Sequence, residues 1–306
     1  MTYKSCLQLL CGTALVCSAA RPASAQIFED IGTRAQGMGG AFVAIADDAT
    51  ATWWNPAGLA IGSYFSAIVE RGYSQASSED TSLGVSFAIP SLGLSYYRLR
   101  ISRIPPPGST ESTGVDRQDR GTASLLPTFV IHQLGATVGQ SLGEHFVLAS
   151  TLKLVRADET RGDLDIGAMV KFGSWRAAAV VRHLHAPDLT SEGSRVGFDR
   201  QVRVGAAYAP PQGDGLTLNA AIDADATTTE TAFGNARHLS GGAELWVRRR
   251  LGLRTGVSAN TVDDARRSFS VGASLAASKG VFVDARMTRG ADDALRGWGF
   301  DLRVTF

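Results

Sequence analysis

The chain has 306 residues, a formal net charge of +1 and a mean hydropathy of +0.01. Charge so close to balance excludes a polyanion such as nucleic acid as an expected partner. Its 34 glycines and neutral hydropathy suit either a soluble protein or a barrel whose strands carry one apolar and one polar face.

The first element, over residues 1–25, reads as a cleaved signal peptide. Lys4 precedes an apolar core from Leu7 to Val16, and Ala23-Ser24-Ala25 supplies a small-x-small cleavage site. The mature chain then begins near Gln26. The apolar core is too short for a retained transmembrane helix, and the bulky Val16 before Cys17 argues against lipid attachment. Cys6, Cys11 and Cys17 all fall inside this leader, so the exported chain has neither a disulfide nor a thiolate metal site.

Gly32–Ala60 follows, dense in Gly and Ala. Gly37-Met38-Gly39-Gly40 lacks the strand, the spacing and the Lys-Ser/Thr of a nucleotide loop, and the stretch has no G-x-S-x-G elbow. Asp47 and Asp48 make a weak cation site without further oxygen ligands. The Ala-rich run Ala41–Ala51 predicts a short helix, which Asn55-Pro56 ends or redirects.

From there period-two alternation dominates. In "LTLNAAIDADA", Leu216, Leu218, Ala220, Ile222 and Ala224 share a face, with Thr217, Asn219, Asp223 and Asp225 opposite. "DLDIGAMVKF" and the closing "RGWGFDLRVTF" repeat the pattern. Runs of about ten residues match a tilted strand crossing hydrocarbon. Tight turns at Pro90-Ser91, Leu142–Glu144, Gly173-Ser174, Arg248–Arg250 and Ala277–Lys279 alternate with longer polar links at Arg103–Ala123, His185–Asp199 and Thr227–Arg237. This alternation is an outer-membrane barrel's, with about fourteen strands. Tyr64, Tyr73, Trp175, Tyr208 and Trp298 fall near strand ends, where interfacial rings belong. The link "RIPPPGSTESTGVDRQDRG" reads as an external loop.

The polar faces carry charges of both signs. Arg203, Asp223, Asp225, Glu244, Arg254, Asp301 and Arg303 form the expected lumen network, with Lys153, Asp165, Lys171, Asp284 and Arg286 on the same faces. Mixed signs fit a charged channel or a neutralised plug seat, and the segment ahead of the strands favours the seat. His183 and His185 share a face if that run is a strand, but no carboxylate is adjacent in sequence, so no metal site is expected. No nucleophile–base–orienter set is present, and no enzymatic activity or cofactor is expected.

"RAQGMGGAFVAIADDATATWWNPAGLA" resembles the N-terminal signature of the FadL-like outer-membrane transport superfamily, most closely its PorV/PorQ branch. Arg34, Gly37–Ala41, Ala46–Ala49 and Asn55–Leu59 match in order, except that Ala46 adjoins Asp47 directly. The resemblance implies an all-β transmembrane antiparallel barrel over 63–306 and an N-terminal hatch over 26–62 in its lumen. Arg34, Gly37, Gly39, Gly40, Asp47, Asp48, Asn55 and Pro56 become the expected hatch and gating residues. It further implies transport of hydrophobic compounds, or help in secreting and presenting exported proteins. The expected partners are outer-membrane lipids, fatty-acid-like small molecules or secretion-machinery proteins. Phe306 closes the C-terminal strand as an expected signal to the barrel-assembly machinery. A structural barrel without transport, or a soluble periplasmic β-sandwich, is the alternative.

Overall fold

Alternation of this kind suits strands that meet two different environments, and in the computed structural model each alternating run forms one. The structure describes residues 31–75, 80–102, 128–191, 194–231, 234–291 and 293–306. The expected leader and the link at 103–123 lie outside the described residues.

The first half of the chain forms β1 (Ser66–Ser74), β2 (Asp80–Ile89), β3 (Leu92–Ser102), β4 (Thr128–Leu142), β5 (Phe146–Arg156), β6 (Thr160–Phe172) and β7 (Trp175–Arg182). Two short strands, β8 (Asp188–Ser191) and β9 (Ser194–Gly197), precede β10 (Gln201–Tyr208) and β11 (Leu216–Asp225). Another short pair, β12 (Thr229–Thr231) and β13 (Gly234–Ala236), precedes β14 (His238–Val247) and β15 (Leu251–Asn260). The chain ends with β16 (Ser268–Ser278), β17 (Val281–Gly290) and β18 (Gly297–Thr305).

Fourteen strands close into one barrel in the order β1-β18-β17-β16-β15-β14-β11-β10-β7-β6-β5-β4-β3-β2. The seam joins β1 to β18 antiparallel, from Ser66 opposite Thr305 to Ser74 opposite Gly297. A closed ring leaves no strand edge unpaired. The pairs β8–β9 and β12–β13 are separate hairpins. They lie in the links His185–Asp199 and Thr227–Arg237, which alternation reads as loops because strands of four and three residues are too short to show a period.

Tight turns, including Pro90-Ser91, Gly173-Ser174 and Arg248–Arg250, gather at the end where β1 starts and β18 finishes. The longer links gather at the other end.

The faces are the reverse of a soluble barrel's. Along β11, Leu216, Leu218 and Ile222 are exposed outward while Thr217, Asn219, Asp223 and Asp225 are buried inward. Leu152, Phe172, Val257, Leu275 and Phe300 are likewise exposed. Trp175 meets Tyr208 edge-on at the turn end, with centroids 5.2 Å apart. Tyr73 stacks on Trp298 at the loop end, 4.1 Å apart. Among the described residues no helix is long and apolar enough to cross a membrane.

Candidate functional site: the filled lumen

The lumen holds Ile31–Gly62. This segment comprises α1 (Thr33–Gly37), a turn at Met38–Gly40, irregular chain to Thr50, α2 (Ala51–Trp54) and a 3-10 turn over Pro56–Ile61. Nearly all of its side chains are buried.

The helix expected over Ala41–Ala51 is absent, and only Ala51 is helical. Helix propensity loses here to tertiary hydrogen bonds. Asp223 Oδ2, on the wall, accepts from the backbone N–H groups of Phe42 and Val43 at 2.7 and 2.8 Å. Ala49 N–H donates to Ser66 Oγ at 3.0 Å, and Asp48 Oδ1 accepts from Thr50 N–H at 2.9 Å. Buried donors must be satisfied somewhere, and these are satisfied off the helix axis.

Glycine makes the seat for the Met38–Gly40 turn. Gly39 and Gly40 take φ of 68° and 80°, which L side chains rarely adopt. On the wall, Gly242 and Gly256 face each other across β14 and β15. A β-carbon on either would overlap the backbone of Met38.

Charge holds the segment in register. Arg34 grips Glu244 through two bonds, Nε to Oε1 at 2.9 Å and Nη2 to Oε2 at 2.7 Å. Its Nη1 meets Asp47 Oδ1 at 2.5 Å and Asp48 Oδ2 at 3.3 Å. Glu244 also accepts from Arg254 Nε at 2.7 Å and from Asn219 Nδ2 at 2.9 Å. The chain continues from Arg254 Nη2 to Asp284 Oδ1 at 3.0 Å and from Arg303 Nε to Asp284 Oδ2 at 3.0 Å. Asp301 lies opposite Asp284 across β17 and β18.

The expected lumen residues therefore divide. Glu244, Arg254, Asp301 and Arg303 share one network with Arg34, Asp47 and Asp48. Arg203 Nε meets Asp225 Oδ1 at 2.6 Å and its guanidinium lies over the Trp54 ring at 5.9 Å, while Asp225 also accepts from Gln201 and from His238 N–H. Asp223 serves the backbone of the segment instead.

Asn55 sits at the turn between α2 and the 3-10 segment. Its Oδ1 accepts from Ala57 N–H at 3.1 Å, and Nδ2 donates to the carbonyls of Val43 at 3.0 Å and Ala168 at 3.4 Å. Pro56 occupies the first position of the 3-10 turn, where its missing N–H costs nothing. The adjacent tryptophans are core. Trp54 Nε1 donates to the Ile31 carbonyl at 3.1 Å, and Trp53 meets Tyr97 edge-on at 5.2 Å.

Toward the loop end, Lys153 Nζ lies 2.8 Å from Asp163 and 2.6 Å from Asp165. His183 Nδ1 reaches Asp163 Oδ2 at 2.7 Å. This corrects two expectations. Carboxylates do lie beside His183, and His183 and His185 do not share a strand face. β7 stops at Arg182, and His183 turns away with φ of 54°, buried, while His185 is exposed. Asp163, Asp165 and His183 have the spacing of a metal cluster. The Lys153 ammonium already stands between the two carboxylates as their cation. Burial and the neighbouring Lys153 hold His183 below the usual histidine range.

Beside this cluster, Tyr97, Leu99, Ile131 and Val155 from the wall are buried with Leu189 of β8 and Phe198. At the turn end, a cavity of about 270 Å³ is lined by Arg34, Asp47, Arg176, Arg303, Asn219 and Trp246. Sequence reading passes over Glu70, Asp163 and Arg176. Alternation in "SAIVERGYS" and "TRGDLDIG" places the first two inward. Phe306 pairs its backbone with Phe65, N–H to carbonyl in both directions at 3.0 and 3.3 Å, and its ring is exposed.

No family model matches the chain, and no curated protein matches it in sequence. Solved structures match its fold. The Ralstonia pickettii toluene transporter TbuX superposes with a TM-score of 0.62 at 12% identity, covering 91% of this chain and 99% of that one. The CymD monoaromatic hydrocarbon channel gives 0.60 at 11%, with the same coverage. A Pseudomonas aeruginosa FadL homologue gives 0.55 at 12%, covering 93% and 99%. The likeness is one of fold: these structures are a toluene transporter, a monoaromatic hydrocarbon channel and a FadL homologue.

Proposed function

We propose that the chain is an outer-membrane barrel of a diderm bacterium that passes hydrophobic small molecules past an N-terminal hatch. The outward apolar belt suits lipid, and every backbone group of a closed ring is satisfied without water. The rings of Trp175, Tyr208, Tyr73 and Trp298 fit the two interfaces, and the loop end faces outward.

One observation carries the reading: the lumen is filled by a segment fixed through side chains and glycine seats, with a buried apolar cluster toward the loop end. A water-filled porin needs neither. The cluster of Leu99, Ile131, Val155, Leu189 and Phe198 makes the loop-end interior apolar. Arg34, Gly37, Gly39, Gly40, Asp47, Asp48, Asn55 and Pro56 then act as hatch residues, over 26–62, with the barrel over 63–306.

Uptake of toluene and of a long-chain fatty acid into vesicles holding the purified protein tests the proposal. Protein-dependent uptake that changes in Asn55→Ala is expected. Uptake equal to protein-free vesicles would refute it. A second reading, an accessory barrel of the PorV/PorQ kind, draws on the Arg34–Leu59 signature and on the filled lumen. It predicts a secretion-machine protein in a cross-linking pull-down, and a pull-down without one would count against it.

A further inference from the structure

The turn from β14 to β15 is built of three arginines, Arg248, Arg249 and Arg250. Arg250 N–H donates to the Val247 carbonyl at 3.0 Å, and the two residues between, Arg248 and Arg249, take φ of 49° and 57°. A hairpin turn with both central residues at positive φ forms at least cost from Asn-Gly. Other turns at this end give their positive-φ position to Gly143, Gly173, Gly280 and the small Ser91. Two consecutive arginines in the left-handed region are a local cost that folding does not require.

All three arginines are exposed, as is Lys279 on the β16–β17 turn. The Arg250 carbonyl accepts from Ala276 N–H at 2.8 Å, which sets the two turns side by side. Two acidic side chains are exposed among the described turns at this end. Glu144 belongs to the β4–β5 turn, almost opposite across the ring. Asp214 is the near one, beside Gly215, whose carbonyl accepts from Arg248 N–H at 2.7 Å. Its carboxylate pairs with none of the four cations, and none of the four has an ion pair elsewhere among the described residues.

Just above these turns the outer wall is apolar. Leu216 is opposite Val247, Val247 opposite Leu251, Leu251 opposite Leu275, and Leu275 opposite Val283. The three leucines and Val283 are exposed. This row has no aromatic ring, whereas Phe172, Trp175 and Tyr208 stand outward on one side of it and Phe306 on the other. Interfacial rings are thus missing in the sector where the cations gather. An arginine stem can lie on the leucines while its planar fork meets a phosphate at headgroup level. We propose that the Arg248–Arg250 turn, with Lys279, binds the anionic headgroup of an inner-leaflet phospholipid whose acyl chains lie on the leucine row. The proposal rests on the membrane reading with the turn end inward, and it is independent of any cargo.

Native mass spectrometry of the full chain in detergent, titrated with phosphatidylglycerol and separately with phosphatidylethanolamine, tests it. The wild-type chain should retain phosphatidylglycerol in preference. Each arginine removed is expected to weaken that binding about fivefold. Arg248→Asn/Arg249→Gly should therefore bind it roughly 25-fold less tightly, yet unfold no earlier than the wild type, because Asn-Gly suits the turn. Weaker binding in a chain of undiminished stability separates headgroup contact from damage to the fold. Arg248→Gln/Arg249→Gln/Arg250→Gln should lose the lipid as well, and Arg161→Gln, exposed at the loop end, should keep it. Undiminished retention by either turn variant, or phosphatidylethanolamine bound as tightly by the wild type, would overturn the proposal. Displacement of the lipid by millimolar inorganic phosphate would overturn it by assigning the turn to free anions, and displacement by poly-glutamate by assigning it to an acidic protein. Heat-modifiable migration of the wild-type chain reports barrel formation separately, and its loss would refute the membrane reading itself.

Discussion

Glu244 is the residue on which the lumen turns. It is fully buried and accepts from Arg34, Arg254 and Asn219, so it ties the segment to two wall strands at once. Removing one partner of such a buried pair strands the other, at a cost of about 3–5 kcal/mol. Glu244→Ala and Arg34→Ala should each lower the thermal unfolding temperature of the detergent-solubilised protein. Because both remove the same pair, the double variant should lose clearly less than the sum of the two. A strictly additive double variant would mean that Arg34 and Glu244 do not act together.

Among elements, the paired strands β14 and β15 offer a sharp comparison. Gly241 and Gly242 are neighbours in sequence and face opposite sides. A β-carbon at Gly241 meets only Ala221 carbonyl oxygen at 4.0 Å, whereas one at Gly242 would overlap Met38. Gly241→Val should therefore leave the segment in place, and Gly242→Val should expel the Met38–Gly40 turn and expose it to protease. Equal protease resistance in the two variants would contradict the seat. This asymmetry also shows what the sequence makes legible. The strand faces follow from alternation alone, because side chains at i and i+2 must share a face. Arg203, Glu244, Arg254, Asp301 and Arg303 could thus be placed inward from residue type and parity. The path of Ala41–Ala51 could not. The N–H groups of Phe42 and Val43 are taken by Asp223, 180 residues beyond Val43, and no local pattern encodes so distant a partner. His183 escaped for a related reason: its left-handed backbone ends the strand one residue before the period would show it.

At the scale of the whole molecule, ring closure and lumen filling depend on each other. The wall supplies carboxylates and glycines that meet the segment: Glu244 binds Arg34, Asp223 accepts from Phe42 and Val43, and Gly242 and Gly256 seat Met38. The segment supplies donors, an arginine and a glycine turn that fit nothing else described. The central claim is that this lumen is plugged in the resting state. Planar-bilayer conductance of the reconstituted protein measures it most directly. The account predicts little steady current through the wild-type chain and a stable, larger current through Gly242→Val. A wild-type chain that conducts as an open pore, with no increase in the variant, would contradict it.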